Sequence, residues 1–244
     1  MRQQSILLMD AGAESMAVLA ARIQRLGCRA LRVKTPEEAL PVLSDRRFSV
    51  DALVVPPDLP VPDLGRTLVA LRLAAGRPEL PFLAAGSRPP AADRARLARA
   101  GVALPIWEPI NAHTLRFQLN RAMAGAVPAR RQRQVRRAPS SLEVFVRAQR
   151  LRRRKSTRLY TFSAHGAFLA TDAPSLRGSE LMVELGIPGV PRRIPSRVVM
   201  TNVAGNLRRA NLPRGMAVRF QGLSAEVQAG LELLVEKILR RLTL

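Results

Sequence analysis

Five short apolar runs, each followed by a stretch with apolar residues at helical spacing, occupy the first 124 residues of this 244-residue chain. Ile6-Leu-Leu-Met-Asp10 reads as a buried strand, and Glu14 to Leu26 sets Met16, Leu19, Ile23 and Leu26 on one helical stripe. Cys28 to Val33 is a second strand. Thr35 is placed to cap a short helix, with Pro36 and Glu37-Glu38 in its first turn and Ala39-Leu40 and Val42-Leu43 as its inner face. Strands at 51–55, 81–85 and 102–106 then alternate with helices at 64–73, 92–100 and 112–123. Such alternation implies a parallel sheet covered by helices on both faces.

Beyond residue 124 the pattern changes. Gly125-Ala-Val-Pro-Ala129 and the arginine run after it lack apolar periodicity, so a domain boundary falls there. The reading is a first domain over 1–124 and a second over 125–244, the latter opening with a basic linker at 125–141. Ser141 to Ala148 alternates apolar and polar residues with period two, as a half-buried strand does. Ser224 is placed to cap a closing helix at 224–242, with Glu226 in its first turn and Arg240-Arg241 in its last. Val227, Leu231, Leu234, Val235, Ile238 and Leu242 share one face of it, for packing across the second domain.

Charge is as uneven as the periodicity. The formal net charge is +22, and twelve of the 40 basic residues lie between Arg130 and Arg158 with Glu143 the only acid among them. Only Lys34, Lys155 and Lys237 are lysines. Arg150 to Lys155 forms a separate basic cluster at an expected hairpin, and Arg208-Arg209 forms another. Within the long run, Arg133 and Arg137 stand four residues apart. A guanidinium is always charged and offers a planar fork of donors to phosphate or to the O6/N7 edge of guanine. The residues themselves thus imply an anionic, hydrogen-bonding guest. No stretch approaches the ~18 apolar residues of a membrane span, and the apolar run at the N-terminus is too short for a secretory signal. A cytoplasmic protein is expected, with Cys28 as a small buried hydrophobe.

The first half resembles the receiver domain of two-component response regulators, of the flavodoxin-like class. The resemblance lies in the alternation, in Asp51 to Gly65 with Pro56, Pro60 and Asp63, and in Trp107-Glu108-Pro109-Ile110. It implies phosphoryl transfer to an aspartate, which needs an acidic pair for Mg²⁺, a nucleophilic carboxylate, a hydroxyl and a lysine. Here Asp10 has Ala11 as its neighbour, Pro56 replaces the nucleophile, Gly86-Ser87 stands near the hydroxyl position and Glu108 replaces the lysine. Asp58 is a displaced carboxylate with no lysine or metal pair to serve it. The expectation is a pseudo-receiver that is not phosphorylated and instead docks an unknown protein partner.

The second half, from about residue 130 to 242, resembles the PilZ domain through an ordered set of motifs. These are Arg133-x-x-x-Arg137, Thr161-x-Ser163-x-x-Gly166-Ala-Phe168-Leu, Pro174 to Gly178, Glu180 to Leu185, Arg197 to Met200, Arg214 to Phe220 and the closing helix. The resemblance implies a small antiparallel β-barrel with a C-terminal helix, binding cyclic di-GMP through Arg133, Arg137, Thr161, Ser163 and Gly166. Thr161 stands where the family carries Asp or Asn. A carboxylate there accepts charge-assisted bonds from guanine, and losing one costs about 1.5–3 kcal/mol, or roughly 10- to 100-fold in affinity. Gly166 is read as a sharp turn or a close approach of backbone to a base. His165 and His113 are read as idle, and Tyr160, Phe162, Phe168 and Phe220 as barrel core.

Together these readings describe a non-enzymatic signalling effector with no cofactor, whose ligand is cyclic di-GMP and whose arginine tether changes conformation on binding. A motility or surface-behaviour pathway is a family-level expectation. Two other readings stay open: an interaction protein that has lost nucleotide binding, and a nucleic-acid-binding protein using its basic half.

Overall fold

The computed structural model describes residues 3–10, 14–45, 47–125, 136–148, 154–204 and 212–244. The chain divides into two compact units, Met1–Arg131 with Leu242–Leu244, and Gln132–Arg241.

In the first unit, strands β1 (Ser5–Met9), β2 (Arg29–Val33), β3 (Ala52–Val55), β4 (Phe82–Gly86) and β5 (Leu104–Trp107) form one sheet in the order β2-β1-β3-β4-β5. Every pairing in it is parallel. This is the expected flavodoxin-like arrangement, in which the strand order reverses beside β1. The helices are α1 (Glu14–Arg25), α2 (Pro36–Ser44), α3 (Leu64–Ala74), α4 (Ala91–Arg99) and α5 (Ala112–Gly125).

The sheet explains why its inner strands β1, β3 and β4 are apolar throughout instead of alternating, whereas the edge strand β2 carries Arg29 and Arg32. Leu7 and Met9 face a core built with Ala39, Leu43, Leu64, Leu68, Leu71 and Leu97, so α2, α3 and α4 cover that side. Ile6 and Leu8 face the opposite core, with Met16, Leu19 and Ile23 of α1 and Leu115 and Leu119 of α5. With both faces buried, neither set of side chains can be polar.

Local capping follows the sequence closely. The Thr35 hydroxyl accepts from the Glu38 amide at 3.3 Å, with Pro36 in the first turn, and the Asp63 carboxylate caps α3 by accepting from the Arg66 amide. The inner face of α2 is narrower than expected: Ala39 and Leu43 are buried, whereas Leu40 is exposed. Cys28 packs partly buried beside the α1 core, and desolvation raises its thiol pKa above the ordinary value.

The second unit is an antiparallel barrel. Its strands are β6 (Ala138–Pro139), β7 (Glu143–Ala148), β8 (Arg154–Ser163), β9 (Gly166–Ala170), β10 (Glu180–Glu184), β11 (Ile194–Asn202) and β12 (Gly215–Phe220). Their order is β6-β8-β7-β10-β11-β12-β9, and β9 also pairs with β8. That last pairing closes six strands into a ring and leaves β6 attached to β8. Closure removes the free sheet edges that an open antiparallel sheet would expose.

Alternating residues, among them Val144, Val146, Leu159, Phe162, Leu181, Val183, Ile194, Val198 and Val218, fill the interior. Helix α6 (Ala225–Arg241) adds Leu231 and Val235 to the same core, flanked by Val227, Leu234, Ile238 and Leu239. Leu242 lies beyond its end and groups with the first unit, so Leu239 takes the place expected of it. Ser224 caps the helix, its hydroxyl accepting from the Val227 amide at 3.3 Å.

The aromatic residues separate into two groups. Phe162 and Phe220 belong to the barrel core, but Tyr160 and Phe168 form a second cluster with Ala217, their rings edge to face at 5.9 Å. Phe168 lies outward by plain alternation between the inward Ala167 and Leu169 of β9, and on β8 a register shift between Leu159 and Thr161 is the cause. The extra residue leaves Leu159 and Phe162 both pointing inward and turns Tyr160 to the outer face. Arg154 and Lys155 lie on β8, not in a hairpin turn, and Arg150 to Arg153 and Arg208-Arg209 lie outside the described residues.

Candidate functional site

In an open α/β sheet, ligands bind outside the carboxyl ends of the strands at the switch point. Asp10, Pro56, Gly86 and Glu108 occupy those ends here, after β1, at the close of β3, at the last residue of β4 and after β5. Their chemistry does not suit phosphoryl transfer. Pro56 is buried and carries no oxygen nucleophile, while Asp58, Ser87 and Glu108 are exposed and Glu108 precedes a cis proline bond to Pro109.

Asp10 is only 3% exposed. Its carboxylate accepts from Arg32 of β2, Nε at 2.8 Å and Nη2 at 2.5 Å, both on Oδ2. A guanidinium of the same chain therefore pairs with the carboxylate that the receiver resemblance assigns to Mg²⁺. Arg32 has no signature in the sequence beyond being a charge at the carboxyl end of a strand. Its relevance appears only once β2 is set beside β1. Ala11 lies outside the described residues, and among those described no group of three or more His, Cys, Asp or Glu could hold a metal.

In the barrel, the strand register places the motif residues. Ser163 pairs with Gly166 across the β8–β9 hairpin, and Thr161 pairs with Phe168 on one side and Pro139 on the other. Directly opposed residues share a face, and Ala138 and Phe162, next in register, belong to the interior. Thr161, Ser163 and Gly166 therefore share the outer face. Carrying the β6–β8 register one residue further sets Arg137, half-buried, opposite Ser163. Arg136 beside it is exposed and meets Glu236 of α6 at 3.3 Å, while Glu236 also meets Arg240 at 3.7 Å. Arg133 lies outside the described residues.

Two of these residues have structural work in the sheet. The Ser163 hydroxyl donates to the Gly166 carbonyl at 3.2 Å and accepts from the His165 amide at 3.4 Å, bracing the hairpin. Ser163 is 1% exposed and Thr161 6% exposed. A Cβ on Gly166 would overlap the Val218 carbonyl oxygen, far inside the 3.0 Å that real Cβ atoms keep, with the Arg219 Cα at 3.3 Å. The glycine is thus required by the approach of β12, and its φ is not in the left-handed range. The close approach that Gly166 meets here is thus that of a neighbouring strand, and not a turn of positive φ. His165 is exposed at the tip of the hairpin, as expected of an idle turn residue. A cleft of about 370 Å³ elsewhere on the barrel is lined by Arg154, Lys155, Thr171 and Ser175 among others, and holds none of Arg137, Thr161, Ser163 and Gly166.

No family model matches the chain, and no curated protein matches it in sequence. Solved structures that resemble it do so over half its length. One is the receiver domain of the sensor histidine kinase PA1611 from Pseudomonas aeruginosa PAO1, a structure with magnesium coordinated in its active-site cleft. It is 24% identical and covers 50% of this chain and 99% of that one, with a TM-score of 0.43. A putative response regulator from Chloroflexus aurantiacus J-10-fl is 20% identical over 50% of this chain and 99% of its own, with a TM-score of 0.44. The chemotaxis protein CheY4 of Vibrio cholerae is 17% identical over the same shares, with a TM-score of 0.43. The flavodoxin-like assignment rests on strand order and on the helices covering both faces. Among the described residues no helix is long and apolar enough to cross a membrane.

Proposed function

We propose that this protein is a non-enzymatic signalling effector: a PilZ-type barrel that binds cyclic di-GMP, joined to a pseudo-receiver that docks a protein partner. The observation that supports the ligand reading is the common outer face of Arg137, Thr161, Ser163 and Gly166 on a closed six-stranded barrel. Arg137 supplies a charged fork for phosphate or guanine, and Arg133 is its counterpart in the motif. Thr161 offers one hydroxyl where a carboxylate would accept two bonds, so binding is weaker than with an acid there.

Titration calorimetry tests this reading. Wild type should release heat with cyclic di-GMP, and Arg137→Ala should lose roughly 10- to 100-fold in affinity. Absence of heat from wild type at ligand concentrations of about 100 µM would overturn it. The alternative is then an interaction protein without nucleotide binding, a reading favoured by the low exposure of Thr161 and Ser163 and by the hydroxyl bonds of Ser163 within its own hairpin.

The pseudo-receiver reading rests on Pro56 at the nucleophile position and on Arg32 occupying Asp10. Incubation with a small phosphodonor and Mg²⁺ should leave the protein unlabelled. Stoichiometric incorporation, mapped to Asp58 or any other carboxylate of the first unit, would sink this half of the proposal.

A further inference from the structure

The lateral row that contains Ser163 and Gly166 does not stop at β9. Gly166 pairs with Arg219 of β12, and Arg219 pairs with Arg197 of β11. Both arginines are exposed, and their sequence neighbours Val198 and Val218 are in the interior, so both guanidinium groups stand on the outer face with the motif residues. Two like charges directly opposed across strands destabilise a sheet. Neither arginine has an ion pair among the described residues. Glu180 is opposed to Arg197 on its far side from Arg219, and Arg219 has the side-chain-free Gly166 on its other side. Along the row from Ser163 to Arg197 the charged residues are therefore the two arginines, with Glu180 next beyond Arg197.

The hairpin is fixed against this row, since the Phe220 amide donates to the His165 carbonyl at 3.0 Å and the Gln221 amide to the Pro195 carbonyl at 2.8 Å. With neighbouring strands about 4.8 Å apart, the three steps from Ser163 to Arg197 cover roughly 14 Å along the curved wall of the closed barrel. That is longer than a single phosphate and suited to a ligand carrying more than one.

We propose that Arg219 and Arg197 form a second anion-binding pair on the outer face of the barrel, which takes a phosphate of the same ligand that Arg137 engages. The ligand identity rests on the cyclic di-GMP reading above; the pair itself rests on strand register. Arginine suits the role because its fork meets two phosphate oxygens at once, where lysine brings only a point charge. The ligand's negative charge offsets the Arg219–Arg197 repulsion, so that binding relieves what the empty sheet tolerates. Neither residue belongs to the two ligand motifs read from the sequence.

The experiment is a titration of the full-length chain and its Arg219→Gln, Arg219→Lys, Arg197→Gln and Arg137→Ala variants with cyclic di-GMP and, in parallel, with inorganic tripolyphosphate. Thermal unfolding is recorded for each protein without ligand. Arg219→Gln and Arg197→Gln are expected to weaken cyclic di-GMP about 10-fold or more, with Arg219→Lys intermediate. The unfolding temperature of Arg219→Gln should match or exceed that of wild type, because removing the charge ends the repulsion, and that of Arg197→Gln should stay close to wild type, because it also loses the cross-strand attraction of Glu180. Loss of binding accompanied by a lowered unfolding temperature in both glutamine variants would mean a structural role, and overturns the proposal. If wild type binds and Arg137→Ala weakens it while both glutamine variants stay within about twofold, the pair is refuted and the ligand reading stands. If wild type ignores cyclic di-GMP, the ligand reading fails and tripolyphosphate decides the pair: binding lost in Arg219→Gln supports it, and no binding, or binding indifferent to both arginines, refutes it.

Discussion

Gly166→Ala should lower the stability of the barrel by about 2–4 kcal/mol, even with no ligand present. The Cβ would meet a backbone carbonyl of β12, not the tip of a flexible side chain, so relief requires moving one strand away from another. That movement acts on the β9–β12 ladder, where Gly166 pairs with Arg219 and Ala167 with Val218, and both Ala167 and Val218 lie in the barrel core. Opening it also strains the Ser163–Gly166 hydrogen bond at the hairpin. Amide hydrogen exchange would report the effect directly, as lost protection in β9 and β12. Wild-type protection in the alanine variant would return the glycine to a role in ligand approach alone.

Arg32→Ala should destabilise the first unit by about 2–3 kcal/mol. It takes from the Asp10 carboxylate, 4% exposed, the cation that now meets it. The Arg32 side chain is itself 49% exposed, so water reaches one side of the pair. The effect therefore sits below that of breaking a fully buried bridge. Replacing both partners, Asp10→Leu with Arg32→Leu, should recover most of the loss, since an apolar pair leaves no charge to solvate. Urea unfolding followed by the fluorescence of Trp107, the only tryptophan, measures both variants. An Arg32→Ala midpoint equal to that of wild type would show the pair to be energetically idle.

How much of this was legible depends on the distance over which each feature acts. The strands and helices of the first unit announce themselves because a parallel strand buried on both faces is apolar at every position, and a helix carries its stripe within a few residues. Thr35 and Ser224, read as caps, accept from helix amides three residues away, and Asp63 does the same for α3 without having been read as one. Leu40 was misplaced since Ala39 and Leu43 are enough to bury the narrow contact of a nine-residue helix. Tyr160 could not be told from barrel core, because one extra residue in β8 reverses the outward and inward sides and leaves no mark in composition.

The candidate site divides along the same line. Thr161, Ser163 and Gly166 are close in the chain, and a hairpin brings them together almost unavoidably. Arg32 and Asp10 are brought together by the order β2-β1, and Arg219 reaches Gly166, and Arg197 reaches Arg219, only through ring closure and register.

From residue order alone come the kinds of element, their succession, the caps and the absence of a nucleophile at Pro56, since each depends on side chains within a turn or two of one another. Tertiary structure decided which charges face each other: Arg32 against Asp10, Arg219 against Arg197, and β12 against a glycine with no room for a side chain. Coulomb interactions and steric contacts depend on distance in space, and the pairing of strands far apart in the chain sets that distance.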